Sequence, residues 1–231
     1  MRNQIPFRWV ALASSLALAG IHSFAQAPPT PIFENVQVQA SCEPNLQCGG
    51  YRYALAVTNP AGNTITLWRV ALHLGVEVSD VTDLFGPPDW SKNKRGRDFS
   101  PNPEDSPLPP KISWIASDDP FLLLPGGTVA PLGFCVSAPP AVRDAWVYAW
   151  LDPWFVAYKQ STGEEYDDPA GLERDYIRKI PTLAPLSVPP GTFEHWNVFL
   201  TDVDKAGTLG WIADGGLLSQ IQARVSEARQ A

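Results

Sequence analysis

Groups able to do covalent or metal chemistry are scarce in this chain. Its 231 residues include three cysteines, three histidines and one methionine. There is no CxxC and no Cys/His cluster, so neither a structural zinc site nor any other metal site is expected. G-x-S-x-G, H-E-x-x-H, G-x-x-x-x-G-K-[ST] and G-x-G-x-x-G are all absent, and with them the common signatures of serine hydrolases, zinc proteases, P-loop enzymes and dinucleotide enzymes. No cofactor is implied. Basic residues are also in deficit, 17 Lys+Arg against 24 Asp+Glu. Nucleic-acid binding depends on neutralising phosphates with Lys and Arg, so this balance argues against it. The same deficit argues against an anionic membrane surface.

Long apolar runs are missing too. The longest charge-free apolar stretch, residues 9–21, falls short of the ~20 residues a membrane helix needs. Arg2 and Arg8 precede it, small residues follow, and a Pro-rich segment comes next. That is the layout of a secretory signal peptide over 1–25. Ser23-Phe24-Ala25 is the preferred cleavage motif, because the alternative Ala25-Gln26-Ala27 would leave Pro28 behind the cut. An uncut N-terminal anchor is the competing reading. No cysteine ends the apolar run, so a lipoprotein is not expected. Cleavage after Ala25 shifts the net charge from −7 to −9 and predicts a secreted or periplasmic protein with no stable membrane span.

What the chain has in quantity is proline (24), glycine (17) and tryptophan (nine). Proline and glycine break helices and suit strands joined by turns. After an extended linker at 28–31, period-two alternation marks half-buried strands at 33–40 and 51–59. The turn at 59–63 leads into a third strand at 64–74. There Ile65, Leu67, Arg69 and Ala71 alternate with Thr66, Trp68, Val70 and Leu72, and 76–81 continues the strand beyond Gly75. Residues 84–110 hold seven prolines and the basic cluster Lys92, Lys94, Arg95 and Arg97, and read as a long solvated loop. Strands follow at 111–117, 128–138 and 144–151, with 154–158 extending the last one. A short helix is expected near 172–177, an extended Pro-rich stretch over 181–192, a last strand over 193–203, and a helix over 215–231 carrying Leu217, Leu218, Ile221 and Val225.

The predicted fold is mainly β: an antiparallel, immunoglobulin-like β-sandwich over 26–203 with a helical tail over 204–231. In an oxidising compartment a bridge between Cys42 and Cys48 is the leading expectation, with Cys135 a buried thiol. The rival pairing joins Cys135 to Cys42 or Cys48.

The stretch WVYAWLDPWF, residues 146–155, raises the functional question. As a strand it sends Trp146, Tyr148 and Trp150 to one side and Val147, Ala149 and Leu151 to the other. The compact side suits a sheet-to-sheet core. The ring-bearing side needs cover from 181–192 or the C-terminal helix, or else it faces inward or serves as a ligand platform. Internal cover is the expected outcome, since burying each ring stabilises by ~2–3 kcal/mol. If it is a platform, the candidate ligand-binding residues are Trp90, Trp146, Trp150 and Trp154, and the ligand class is carbohydrate.

No catalytic residue is assigned. His73 and His195 lack a nucleophile motif, and the acidic pairs Asp118-Asp119, Glu164-Glu165 and Asp167-Asp168 would serve a glycosidase only if they faced each other across a cleft. The start of a calcium loop at 202–207 lacks its later ligands: position five is Ala206 and position twelve is Ala213.

Two resemblances are carried by particular residues. Tyr51, Tyr53, Val57, Asn59, Trp114, Pro125, Gly126, Gly133, Phe134 and Ser137 form strand motifs resembling those of exported bacterial sandwich domains. Gly210, Trp211, Ile212, Gly215 and Leu218 resemble the opening of a FIMAH-type helical module, which in its family is a helical hairpin on surface and secreted proteins. The expectation is therefore a non-enzymatic exported protein with a structural or surface-interaction role, its partner a surface protein or polysaccharide. A carbohydrate-binding module is the alternative, and an acid/base hydrolase the third reading.

Overall fold

The computed structural model describes residues 26–95, 110–185, 192–212 and 214–230. The leader reading at 1–25 and most of the Pro-rich loop, Arg97 included, lie outside them. Among the described residues nine strands form two antiparallel sheets packed as a sandwich, with helices towards the C-terminus. The first sheet contains β1 (Gln37–Asn45), β2 (Gly50–Thr58), β7 (Thr128–Val136) and β4 (Thr82–Phe85), in the order β1-β2-β7-β4. The second contains β5 (Trp90–Arg95), β6 (Lys111–Ala116), β3 (Leu67–His73), β8 (Pro140–Ala149) and β9 (Ile177–Pro185), in the order β5-β6-β3-β8-β9.

The core follows from alternation. Tyr53, Leu55 and Val57 on β2 and Val129, Leu132, Phe134 and Val136 on β7 meet Val70 and Leu72 on β3, Ile112 and Trp114 on β6, and Ala145 and Val147 on β8. Trp114 is fully buried, and its indole N–H donates to the Phe85 carbonyl at 2.8 Å. Tyr53 stacks on Phe134 with ring centroids 4.8 Å apart and spends its hydroxyl on the Ala138 carbonyl. One polar node sits at the end of the sandwich. The buried Asn59 amide donates to the Ile65 and Leu123 carbonyls at 3.0 and 3.1 Å and accepts from Asn63 at 2.8 Å. Inside a core every such group needs a partner, and this node supplies them.

The disulfide is Cys48–Cys135, with Cys42 free, so the expected Cys42–Cys48 bridge is not formed. Register explains the choice. Cys42 lies in β1 opposite Tyr53, three residues before the turn, which is about 10 Å of strand and beyond disulfide reach. Asn45 caps the turn by accepting from the Gln47 and Cys48 N–H groups, and Gly49 takes the left-handed conformation (φ 67°) that brings the chain back. Cys48 is thereby held 5.4 Å, Cα to Cα, from Cys135 on β7.

Several elements differ from their sequence reading. Residues 154–158 do not extend a strand; they belong to helix α1 (Asp152–Thr162), which has Pro153 in its first turn and Gly163 in the left-handed conformation at its end. Residues 193–203 are not the last strand but part of helix α3 (Phe193–Thr208), capped by the Thr192 hydroxyl accepting from the His195 N–H. The short helix is α2 (Pro169–Asp175), and the tail helix is α4 (Gly215–Gln230). Residues 76–81 do not prolong β3: a 3-10 turn at Val78–Asp80 carries the chain to β4 in the other sheet. The basic cluster is partly strand, since Lys92, Lys94 and Arg95 lie on β5. The first strand runs later than its alternation indicated, over Gln37–Asn45.

The expected linker at 28–31 is strapped to the fold. The Pro29 carbonyl accepts from the Trp154 indole and the Pro31 carbonyl from the Tyr176 hydroxyl. Just beyond it, Phe33 is buried and its carbonyl accepts from Arg178 Nε.

Helices α3 and α4 pack on each other; Gly207 lies so close to Leu218 that an added Cβ would meet its methyl group at 2.5 Å. The pair touches the sandwich through Asp202, whose carboxylate accepts from the Val142 N–H on β8 at 3.1 Å, with Arg143 3.6 Å away. No helix among the described residues is long and apolar enough to cross a membrane.

Candidate functional site

Strand β8 decides where the aromatic run points. Ala145 and Val147 are fully buried between the sheets, so Trp146 and Tyr148 stand on the outer face of the five-stranded sheet, both half-buried. Trp150 follows just past the strand, its N–H still donating to the Thr66 carbonyl at 2.9 Å.

The neighbouring strand β3 adds residues that strict alternation misplaces. Its pairing with β8 runs Leu67↔Ala149 and then Arg69↔Tyr148, two steps on β3 against one on β8. This bulge turns Trp68 and Arg69 to the same outer face while Leu67, Val70 and Leu72 stay buried. The period-two reading had put Trp68 with Val70 and Leu67 with Arg69. The signal was there: each supposed face mixed core and surface residues, and a single inserted residue separates them.

The face therefore carries two joined clusters. In the first, Trp68 meets Tyr148 and Trp150 edge-on, with centroids 6.4 and 5.8 Å apart. The Arg69 guanidinium lies 4.9 Å from the Tyr148 centroid and 6.0 Å from that of Trp68. With Asp152, Glu173, Arg174 and Ile177 these residues line a cleft of about 260 Å³. In the second, His73 stacks on Trp146 at 4.5 Å and the Lys179 ammonium sits 4.4 Å from the same ring. Cation–π contacts of this kind add roughly 0.5–1 kcal/mol each at exposed sites.

Burial is the main cause of the pKa shifts on this face. Burial, together with Lys111, Lys179 and Arg69, lowers the His73 pKa below its ordinary value, and Asp144 opposes the shift. Burial raises that of Tyr148, against the pull of Arg69. Both side chains are neutral at neutral pH.

The rings shield one another in part and stay partly exposed, and the described residues of the segments expected to cover them lie elsewhere. Residues 181–185 lie in β9, beside β8 in the plane of the sheet, and 186–191 fall outside the described residues. The α3–α4 pair meets β8 at its opposite end, at Val142.

Of the four candidate tryptophans, the structure groups two on this face. Trp90 is 4% exposed and part of the core, so it offers no ring to a ligand. Trp154 stands on α1 in a separate aromatic group with Phe155, Tyr158 and Tyr166. It connects to the face through a second cleft of about 360 Å³, lined by Pro28, Pro29, Pro31, Trp150 and Trp154.

Two members of the acidic pairs make local contacts. Asp168 caps α2 by accepting from the Gly171 N–H, and Glu165 pairs with Lys159 at 2.7 Å, which lowers its pKa. Asp118 and Asp119 are exposed around a 3-10 turn. Residues 202–207, read as the start of a calcium loop or an exposed turn, are interior turns of α3. His195 lies on α3 beside Trp196, away from His73 on β3. Among the described residues no three His, Cys, Asp or Glu side chains group to hold a metal ion. No family model, curated protein or solved structure matches the chain.

Proposed function

We propose that this is an exported, non-enzymatic β-sandwich protein that acts by binding, and that carbohydrate is its ligand, held on the outer face of β3, β8 and β9. One observation carries the reading: Trp68, Trp146, Tyr148 and Trp150 stand partly exposed on one outer sheet face, Trp68 in ring contact with Tyr148 and Trp150, with charged side chains beside them. Flat rings offer apolar area to the C–H faces of sugars, while the rim takes up hydroxyl hydrogen bonds. At about 260 Å³ the cleft is smaller than the roughly 300–1,000 Å³ of an enclosed small-molecule pocket, which favours reading along a polymer.

Export is supported by the Cys48–Cys135 bridge, which suits an oxidising compartment, together with the leader-like N-terminus. The immunoglobulin-like class is supported by strand order: β1-β2-β7-β4 facing β3-β8-β9 corresponds to the ABED and CFG sheets of that fold, with β6 and β5 widening the second sheet.

Affinity electrophoresis against a polysaccharide panel tests the proposal. Wild-type protein is expected to be retarded by at least one polymer, with Trp146→Ala and Trp150→Ala each weakening binding by about tenfold or more. Equal retardation of both variants and wild type would remove the face from consideration.

A further inference from the structure

We infer that the glycan bound by this face carries carboxylate groups, taken up by Arg69 and Lys179 on either side of the Trp146–Tyr148 rings. The inference rests on the carbohydrate reading and narrows it.

The first observation is an unpaired cation. Arg69 Nε is buried and has no hydrogen-bond partner, and Arg69 forms no ion pair among the described residues. Its contacts are the faces of Tyr148 and Trp68. A buried N–H without an acceptor is costly, and folded proteins seldom retain one; the guanidinium as a whole is only half-buried, so its outer nitrogens remain open to a ligand. The fixed fork of a guanidinium is also the group best matched to a carboxylate.

The second observation is independent of the first. Lys179 is exposed on the neighbouring edge of the face, and its ammonium has the Trp146 ring as its only contact among the described residues. What sets Arg69 and Lys179 apart is that both cations lie against the rings of one face. Register fixes their arrangement. Arg69 shares a row with Tyr148 and Ile177, and Lys179 shares the next row with Trp146 and Ala71. The two cations therefore straddle the rings on which a sugar would lie. Asp152 and Glu173 sit at the rim of the cleft with Arg174, as acceptors for hydroxyls.

The test compares polygalacturonate with the same polymer methyl-esterified, titrated calorimetrically into the full chain. Polygalacturonate should bind at least tenfold more tightly, the size expected of a charge-assisted contact. Arg69→Gln should abolish that preference, Arg69→Lys should recover part of it, and Lys179→Gln should weaken polygalacturonate alone. Near-UV circular dichroism checks that the Arg69 variants fold, and the exposed Lys179 carries the test if they do not. Equal affinity for the two polymers, or a preference that both Arg69→Gln and Lys179→Gln leave within twofold, overturns the carboxylate inference and leaves the carbohydrate reading standing. Binding to neither polymer nor to neutral xylan or β-glucan overturns both.

Discussion

At the scale of single residues, His73 reports on the face most sensitively. Burial is the main cause of its lowered pKa; Lys111 from β6, Lys179 from β9 and Arg69 on its own strand act in the same direction, and Asp144 from β8 acts against them. Its folded pKa lies below the unfolded value, so between the two the unfolded chain binds the extra proton. Stability attributable to His73 is therefore present above about pH 6.5 and is lost as pH falls towards the folded pKa. An NMR titration of the imidazole should place its midpoint below 6.5, and a bound carboxylate should move it upward. An unchanged midpoint in saturating polyuronate would mean the anion sits elsewhere. Asn59 is the residue on which the end of the sandwich depends. Asn59→Ala leaves the Ile65 carbonyl and the Asn63 amide without these partners, while the Leu123 carbonyl keeps the Leu67 N–H, and should cost about 1–3 kcal/mol in a denaturant melt. Gly133 is constrained for another reason: a Cβ there would lie 2.2 Å from the Phe85 ring and 2.4 Å from the Tyr53 carbonyl.

At the scale of elements, the α3–α4 pair is held to β8 by a buried carboxylate. Burial raises the Asp202 pKa, although the Val142 N–H and Arg143 work against the shift. For an acid raised in the folded state, the native form binds more protons between the two pKa values, so stability falls as pH rises through that window. Asp202→Asn keeps an acceptor for Val142 without the buried charge. Its stability relative to wild type should improve as pH rises from about 4 to 7; a constant difference would show that Asp202 does not titrate there. The elements also show what alternation can reveal. β2 was legible because its alternation puts Tyr53, Leu55 and Val57 on one face, which is the core face. Helices α1 and α3 were not, because ring-rich, β-branched stretches read as strand when only composition is weighed. In α3 the 3.6-residue spacing of Trp196, Leu200, Val203 and Gly207 was the missed signal, and in α1 it was Pro153 followed ten residues later by Gly163. The bulge that brings Trp68 and Arg69 outward breaks the periodicity that alternation relies on, so half of the candidate site could not be read by parity alone.

At the scale of the whole molecule, the Cys48–Cys135 bridge ties the β1–β2 turn to β7 across 87 residues of chain. A loop of that length stabilises by roughly 4 kcal/mol in the chain-entropy picture. Cys48→Ser and Cys135→Ser should each lose about that much, whereas Cys42→Ser should leave both stability and non-reducing gel mobility near wild type. Equal losses for Cys42 and Cys48 variants would restore the short bridge that sequence spacing suggested. The pairing was not legible because it depends on the hairpin register, which spacing between cysteines does not encode. The bridge braces the four-stranded sheet, and the rings proposed to bind lie on the outer face of the other sheet. Following the indole N–H resonances during titration with a bound polysaccharide tests that claim most directly. Trp68, Trp146 and Trp150 should shift together while the core indoles of Trp90 and Trp114 stay still. Movement confined to Trp196 and Trp211 of the helical tail would contradict the account.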